Sequence, residues 1–120
     1  MDPYRAVRVS EALREELEEL IGYEMSDPRV AGLTVTEVLL SPDRKKAEVR
    51  LGMPAEEEAR KLALEALEHA RGFLKRELAA RLQLFRVPEL HFSADLSVSL
   101  TSRMEHLLKR VRKGRPREKS

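Results

Sequence analysis

At 120 residues and 42% apolar content, the chain is sized for one domain with a real core, which excludes disorder throughout. Without cysteine it forms neither a disulfide nor a thiolate metal site, and a reducing, cytoplasmic setting is expected. No apolar run approaches the roughly 20 residues of a membrane span, and Met1-Asp2-Pro3-Tyr4-Arg5 lacks the apolar stretch of a signal peptide.

The net charge of +2 conceals an asymmetry. Residues 101–120 carry eight Lys or Arg against two Glu, whereas residues 1–100 carry fifteen basic and nineteen acidic residues. A basic end on a mildly acidic body suits a polyanionic partner, and the plain alternative is a solvated tail that serves solubility.

In chain order, Tyr4 to Glu24 is predicted to be a helix, because Val9, Leu13, Leu17, Leu20 and Ile21 recur at three- and four-residue spacing on one face. Ser26-Asp27-Pro28 stops it. Leu33 to Leu40 is rich in β-branched residues and predicts a strand, Ser41-Pro42-Asp43 is turn chemistry, and Ala47, Val49 and Leu51 alternate with Glu48 and Arg50 in a second strand. Together these predict an antiparallel hairpin.

Gly52 and Pro54 end that strand. Helical spacing then runs from about Ala55 to Leu84, with Glu56, Glu57 and Glu58 suiting the positive end of a helix dipole. Gly72 inside it predicts two helices or a kink at that point, since glycine costs about 1 kcal/mol in a helix interior. Val87-Pro88 breaks the pattern, and Leu90, Phe92 and Ala94 alternate as a third strand. From about Ser97 an amphipathic helix is predicted on Val98, Thr101, Met104, Leu107, Leu108 and Val111, followed by a basic tail over 114–120. The chain is expected to be one domain over 1–113 plus that tail. A three-stranded sheet with helices packed on one face would bury all these stripes, an α+β fold.

Particular words in this order resemble the ribosome-binding factor A family: Asp27-Pro28-Arg29-Val30, Leu33-Thr34-Val35-Thr36-Glu37-Val38, Ser41-Pro42-Asp43, Ala70-Arg71-Gly72-Phe73-Leu74, Val87-Pro88-Glu89-Leu90-His91-Phe92 and Asp95. The resemblance runs from about Arg5 to Val111. It implies a KH-like fold of type II topology, α-β-β-α-α(kinked)-β, with an extra C-terminal helix. It also implies a protein without catalytic activity that binds the immature small ribosomal subunit, contacts its 16S rRNA and assists late maturation, notably in the cold. Ordinary KH domains clamp nucleic acid with a GXXG loop. No two glycines here are three apart, and Ala70-Arg71-Gly72 matches the Ala-x-Gly kink that the family carries instead. Two departures stand out: Phe85 occupies a place near which an Arg is common, with Arg86 one residue later, and the loop around Gly52–Ala55 is short.

RNA binding needs cations set against phosphates. By family analogy the first candidate group is Arg71, Gly72, Lys75 and Arg76 at the kink, whose plain alternative is a solvated face paired with Glu68 and Glu77. Arg44, Lys45 and Lys46 at the hairpin tip form the second, and Lys109, Arg110, Arg112, Lys113, Arg115 and Arg117 the third and densest. Arg5, Arg8 and Arg86 are further candidates. His69, His91 and His106 lack metal-ligand spacing, no serine sits in a nucleophile motif, and Phe73, Phe85 and Phe92 are expected in the core. No cofactor, metal, membrane or small-molecule substrate is expected, and the chain is expected to be a monomer. Two other readings stay open: a generic KH-like RNA-binding module without a ribosomal role, and a protein-interaction module using the acidic first helix.

Overall fold

The computed structural model describes residues 3–100. The order is α1 (Pro3–Glu19), β1 (Thr34–Leu40), β2 (Lys46–Pro54), α2 (Glu57–His69), α3 (Arg71–Leu82) and β3 (Glu89–Leu100). α1 runs on into a wider turn at Leu20–Glu24 and is followed by a short 3-10 turn at Pro28–Val30. The sheet order is β1-β2-β3. β1 pairs antiparallel with β2, and β2 pairs parallel with β3, as a crossover through two helices requires.

Periodicity decides which face is buried. Ala47, Val49, Leu51 and Met53 point from β2 towards the helices, opposite Val35, Val38 and Leu90 from its neighbours. Leu13, Leu17, Leu20 and Ile21 of the first helical segment, Ala63, Ala66 and Leu67 of α2, and Leu74 and Leu78 of α3 close over them in a single core. Arg81 ties α3 to α1, lying 2.5 Å from Glu24, 3.6 Å from Glu16 and 3.3 Å from Glu77 of its own helix. Among the described residues no helix covers the other sheet face, which carries Glu37, Glu48, Arg50, His91 and Asp95.

The helical stretch from 55 to 84 is two helices, but the break falls at Ala70 (φ −88°, ψ 0°) rather than at Gly72, which is the second residue of α3. Beyond Ala94 the chain departs further from expectation. Ser97 to Leu100 continue β3 where a helix start was predicted, because Ser99 and Leu100 find partners in Met53 and Pro54. The remainder of the predicted C-terminal helix, the end of the domain at 113 and the tail lie outside the described residues.

Between the Leu51↔Ala94 and Met53↔Ser99 pairs, β3 bulges. Asp95 organises the bulge, accepting from the Ser97 N–H (3.0 Å) and hydroxyl (2.6 Å). Its other oxygen lies 2.7 Å from the Thr36 hydroxyl, which comes from β1, two strands away. The Thr36 hydroxyl also lies 3.1 Å from the Arg50 carbonyl of β2, the strand between them. The Ser97 and Thr36 hydroxyls hold the Asp95 carboxyl below its ordinary value.

Of the three phenylalanines expected in the core, Phe92 packs partly buried against it, Phe73 lies exposed on α3, and Phe85 is 97% exposed. Gln83 takes a left-handed conformation (φ 52°) that ends α3 and turns the chain outward before Pro88 and Leu90 re-enter the core. Phe85→Ala should therefore change stability by no more than about 0.5 kcal/mol. Urea denaturation checks this: a loss of about 3 kcal/mol or more, the usual cost of a core phenylalanine, would place the ring inside.

Asp27 caps the 3-10 turn. It accepts from the Arg29 N–H at 2.9 Å and from the Arg29 guanidinium at 2.6 Å. Those bonds lower its pKa from 3.8 to about 2. The folded state thus favours the ionised form, and unfolding takes up a proton between the two values. The contribution is complete above the unfolded value and is lost as pH falls through the folded one. In urea titrations the advantage of wild type over Asp27→Asn should shrink steadily from about pH 5 to about pH 2. Parallel curves would show that the pair adds nothing.

Candidate nucleic-acid interface

The hairpin tip is held rigidly. Ser41 accepts from the Lys46 N–H (3.0 Å) and donates to Asp43 (2.6 Å), Asp43 accepts from the Lys45 N–H (3.0 Å), and the backbone closes from Ser41 N–H to the Lys46 carbonyl (2.9 Å). Arg44 stands at φ 61°, a left-handed position that glycine would occupy at less cost. Lys45 and Lys46 are exposed, and neither makes an ion pair among the described residues.

β3 begins beside this tip, where the Glu89 N–H donates to the Lys45 carbonyl at 2.8 Å. The Glu89 side chain in turn receives the start of α3. Arg71 lies 3.3 Å from one carboxylate oxygen and Lys75 3.0 Å from the other. Arg71 also pairs with Glu68, one turn earlier. Of the two partners in the plain alternative, Glu68 is thus met, whereas Glu77 bonds Arg81 instead. Lys75 first, and Arg71 after it, hold the Glu89 carboxyl below its ordinary value.

α1 comes to the same end of the sheet. Val35, near the start of β1, donates to Glu18, near the end of α1, at 2.6 Å. Val7 and Ser10, near the start of α1, share a groove with Leu39 and Leu40 at the end of β1. The two elements run antiparallel, so exposed Arg5 and Arg8 lie at the hairpin end. Arg86, three residues before Glu89, is exposed with its guanidinium 5.9 Å from the centre of the Phe85 ring.

Candidates separated by up to about seventy positions are therefore gathered at one pole: Arg5 and Arg8 from α1, Arg44, Lys45 and Lys46 from the hairpin, and Arg71, Lys75 and Arg76 from α3. Arg86 lies on the approach to it. Lys109, Arg110, Arg112, Lys113, Arg115 and Arg117 lie outside the described residues. Among the described residues, the buried side-chain nitrogens that find no acceptor are Arg44 Nε and Arg71 Nε, both at this pole. A cluster of like charges with incompletely satisfied donors costs stability and suits binding of an anion. Among the described residues there is no group of three His, Cys, Asp or Glu able to hold a metal, and no helix long and apolar enough to cross a membrane.

The residue that sequence reasoning passed over as a contributor is Glu89. It lies eighteen positions from Arg71 and fourteen from Lys75, beyond any local spacing rule. Its place directly after Val87-Pro88, at the first position of a strand, was the available signal.

Gly72 is exposed within this cluster. A Cβ added there would come no nearer than 3.4 Å to a neighbour, the Arg76 guanidinium. Neither its φ nor internal packing demands glycine. Gly72→Ala should accordingly raise stability by a few tenths to about 1 kcal/mol, read by thermal unfolding. A loss would reveal a backbone requirement the geometry does not contain.

Comparison with known proteins points the same way. The Ribosome-binding factor A family model matches residues 5–108. Ribosome-binding factor A of Solibacter usitatus is 50% identical over 120 residues, covering all of this chain and 98% of the relative. The crystal structure of ribosome-binding factor A from Thermus thermophilus superposes with a TM-score of 0.66 at 35% identity, covering 74% of this chain and 93% of that one. A homology-built Thermus thermophilus ribosome-binding factor A, fitted into the cryo-EM map of its 30S complex, gives 0.58 at 32% identity, covering 80% and 97%. A match along nearly the whole chain, together with the mixed sheet and the helix pair broken at Ala70, shows that the chain belongs to the ribosome-binding factor A family.

Proposed function

We propose that this chain is a ribosome-binding factor acting on the small (30S) ribosomal subunit, where it contacts 16S rRNA and assists late assembly and rRNA processing. The observation that carries this reading is the 32% identical relative, matched over 97% of its length, that has been fitted into a 30S complex. The basic pole adds the physical means, since clustered Lys and Arg bind a folded phosphate surface by releasing its counter-ions. Arg5, Arg8, Arg44, Lys45, Lys46, Arg71, Gly72, Lys75, Arg76 and Arg86 form the described part of the contact. Lys109, Arg110, Arg112 and Lys113, in the last residues of the domain, and Arg115 and Arg117 of the basic tail extend it.

In this reading the protein is a cytoplasmic monomer that uses binding energy alone. It takes no cofactor and transforms no small molecule. Its work is to favour one arrangement of the rRNA over others, which needs only a difference in affinity between two states of the particle. Sedimentation with purified small subunits is the test. The protein should pellet with them at low salt and be released as salt rises, with much weaker association with large subunits. Recovery in the supernatant at low and moderate salt would overturn the reading.

A further inference from the structure

Arg71 and Lys75, one helical turn apart, converge on a single carboxylate, that of Glu89. Glu68, one turn earlier, also pairs with Arg71, and Arg71 Nε remains without an acceptor. Beside them the exposed backbone of Gly72 is open, and nothing within the fold asks for glycine there. A position free of internal demand, bordered by cations, is one where an outside group can approach the main chain closely.

We infer that in the free protein Glu89 occupies the place of an RNA phosphodiester, as an internal counter-ion that the nucleic acid displaces to reach Arg71 and Lys75. A carboxylate and a phosphate present the same paired oxygens to a guanidinium and an ammonium. The exchange is feasible because both ion pairs are partly exposed, and pairs of that kind contribute little to stability. Lys75 and Arg71 hold the Glu89 carboxyl below its ordinary value, so it competes as a carboxylate near neutral pH. The inference rests on the ribosomal reading and deepens it, by naming the ligand group and the device that limits affinity and favours release.

A counter-ion tethered to the protein leaves a thermodynamic mark. When RNA displaces Glu89, one of the two positive charges of Arg71 and Lys75 arrives at the phosphates already neutralised from within. That charge contributes little to the salt dependence of binding, whose slope otherwise rises by roughly 0.7 to 0.9 per neutralised phosphate.

Glu89→Gln tests this in the full chain, with small subunits as the probe and affinity measured across a salt series. Glutamine keeps the size of the side chain, and the backbone bond to the Lys45 carbonyl is unaffected. The variant should bind about fivefold more tightly at moderate salt, as the loss of two partly exposed pairs allows, and its slope should be steeper by roughly 0.7 to 0.9, the share of the one charge unmasked. In a Lys75→Gln background the gain from Glu89→Gln should shrink. Should the glutamine variant not fold, Glu89→Asp, which withdraws the carboxylate by one methylene, should shift affinity and slope in the same direction. Weaker binding, an unchanged slope, or a gain that persists without Lys75 would each overturn the inference and make Glu89 a residue that positions the cations. Wild type that binds while Glu89→Gln leaves it unaltered refutes this inference alone. Wild type that never pellets refutes the ribosomal reading, and this one falls with it.

Discussion

Reversing Lys45 and Arg76 to glutamate together is expected to weaken binding to small subunits by on the order of a hundredfold at moderate salt, and each alone by about tenfold. The two side chains belong to different elements, the hairpin tip and α3, and meet at one pole only through the fold. Both are exposed, and neither makes an ion pair among the described residues, so the substitutions remove no internal bond. Thermal unfolding should move little, because Lys45 has only a through-space attraction to Asp43 and surface substitutions of this kind change stability by about 0.5 kcal/mol or less. Lys61→Glu is the control for simple loss of positive charge. Lys61 is an exposed cation of α2, roughly 13 Å along the helix from the Ala70 break, and its reversal should cost less than about threefold, a long-range screened effect. Equal losses at Lys61 and Lys45 would mean that net charge, and not a built surface, drives association.

The largest stability effect is expected from Leu67→Ala, a loss of about 3 kcal/mol within the range for buried leucines. Leu67 is fully buried on α2, which packs against β2, β3, the 3-10 turn at Pro28–Val30 and α3. The cavity would open where every layer of the protein meets, and the sheet behind it cannot collapse without breaking the β2–β3 register. Against a total stability of about 5–15 kcal/mol typical of such domains, this is a large fraction. It should lower the melting temperature by about 12 °C. Calorimetry decides the matter. A fall of only about 2 or 3 °C would show that the site repacks.

This second variant also serves the interface. Its pole is assembled by α1, the hairpin, α3 and the start of β3. The pole should survive in Leu67→Ala below its melting temperature and bind small subunits with near wild-type affinity. Loss of binding in a folded Leu67→Ala protein would mean that the contact depends on the internal rigidity of α2.

What the amino-acid order determined by itself was the set of elements and their inward faces. The stripe Leu13, Leu17, Leu20 and Ile21, the alternation Ala47, Val49, Leu51, and the turn Ser41-Pro42-Asp43 act over a few residues, and each reaches the structure as read. The resemblance carried by Ala70-Arg71-Gly72 and Val87-Pro88-Glu89 identified the family, because ordered words preserve identity even where their physics is opaque. Local spacing could not decide whatever depended on a distant partner. Ser97 to Leu100 have helical periodicity yet extend as strand, since an open parallel edge beyond Gly52 offers backbone hydrogen bonds that outweigh propensity. Phe85 is apolar yet exposed, because a left-handed Gln83 turns the chain outward before it. The helix breaks at Ala70 and not at the glycine two residues later. The ion pairs of Glu89 with Arg71 and Lys75 belong to the same class: a carboxylate's partners are set by through-space distance, and only the crossover that lays β3 parallel beside β2 brings position 89 to positions 71 and 75.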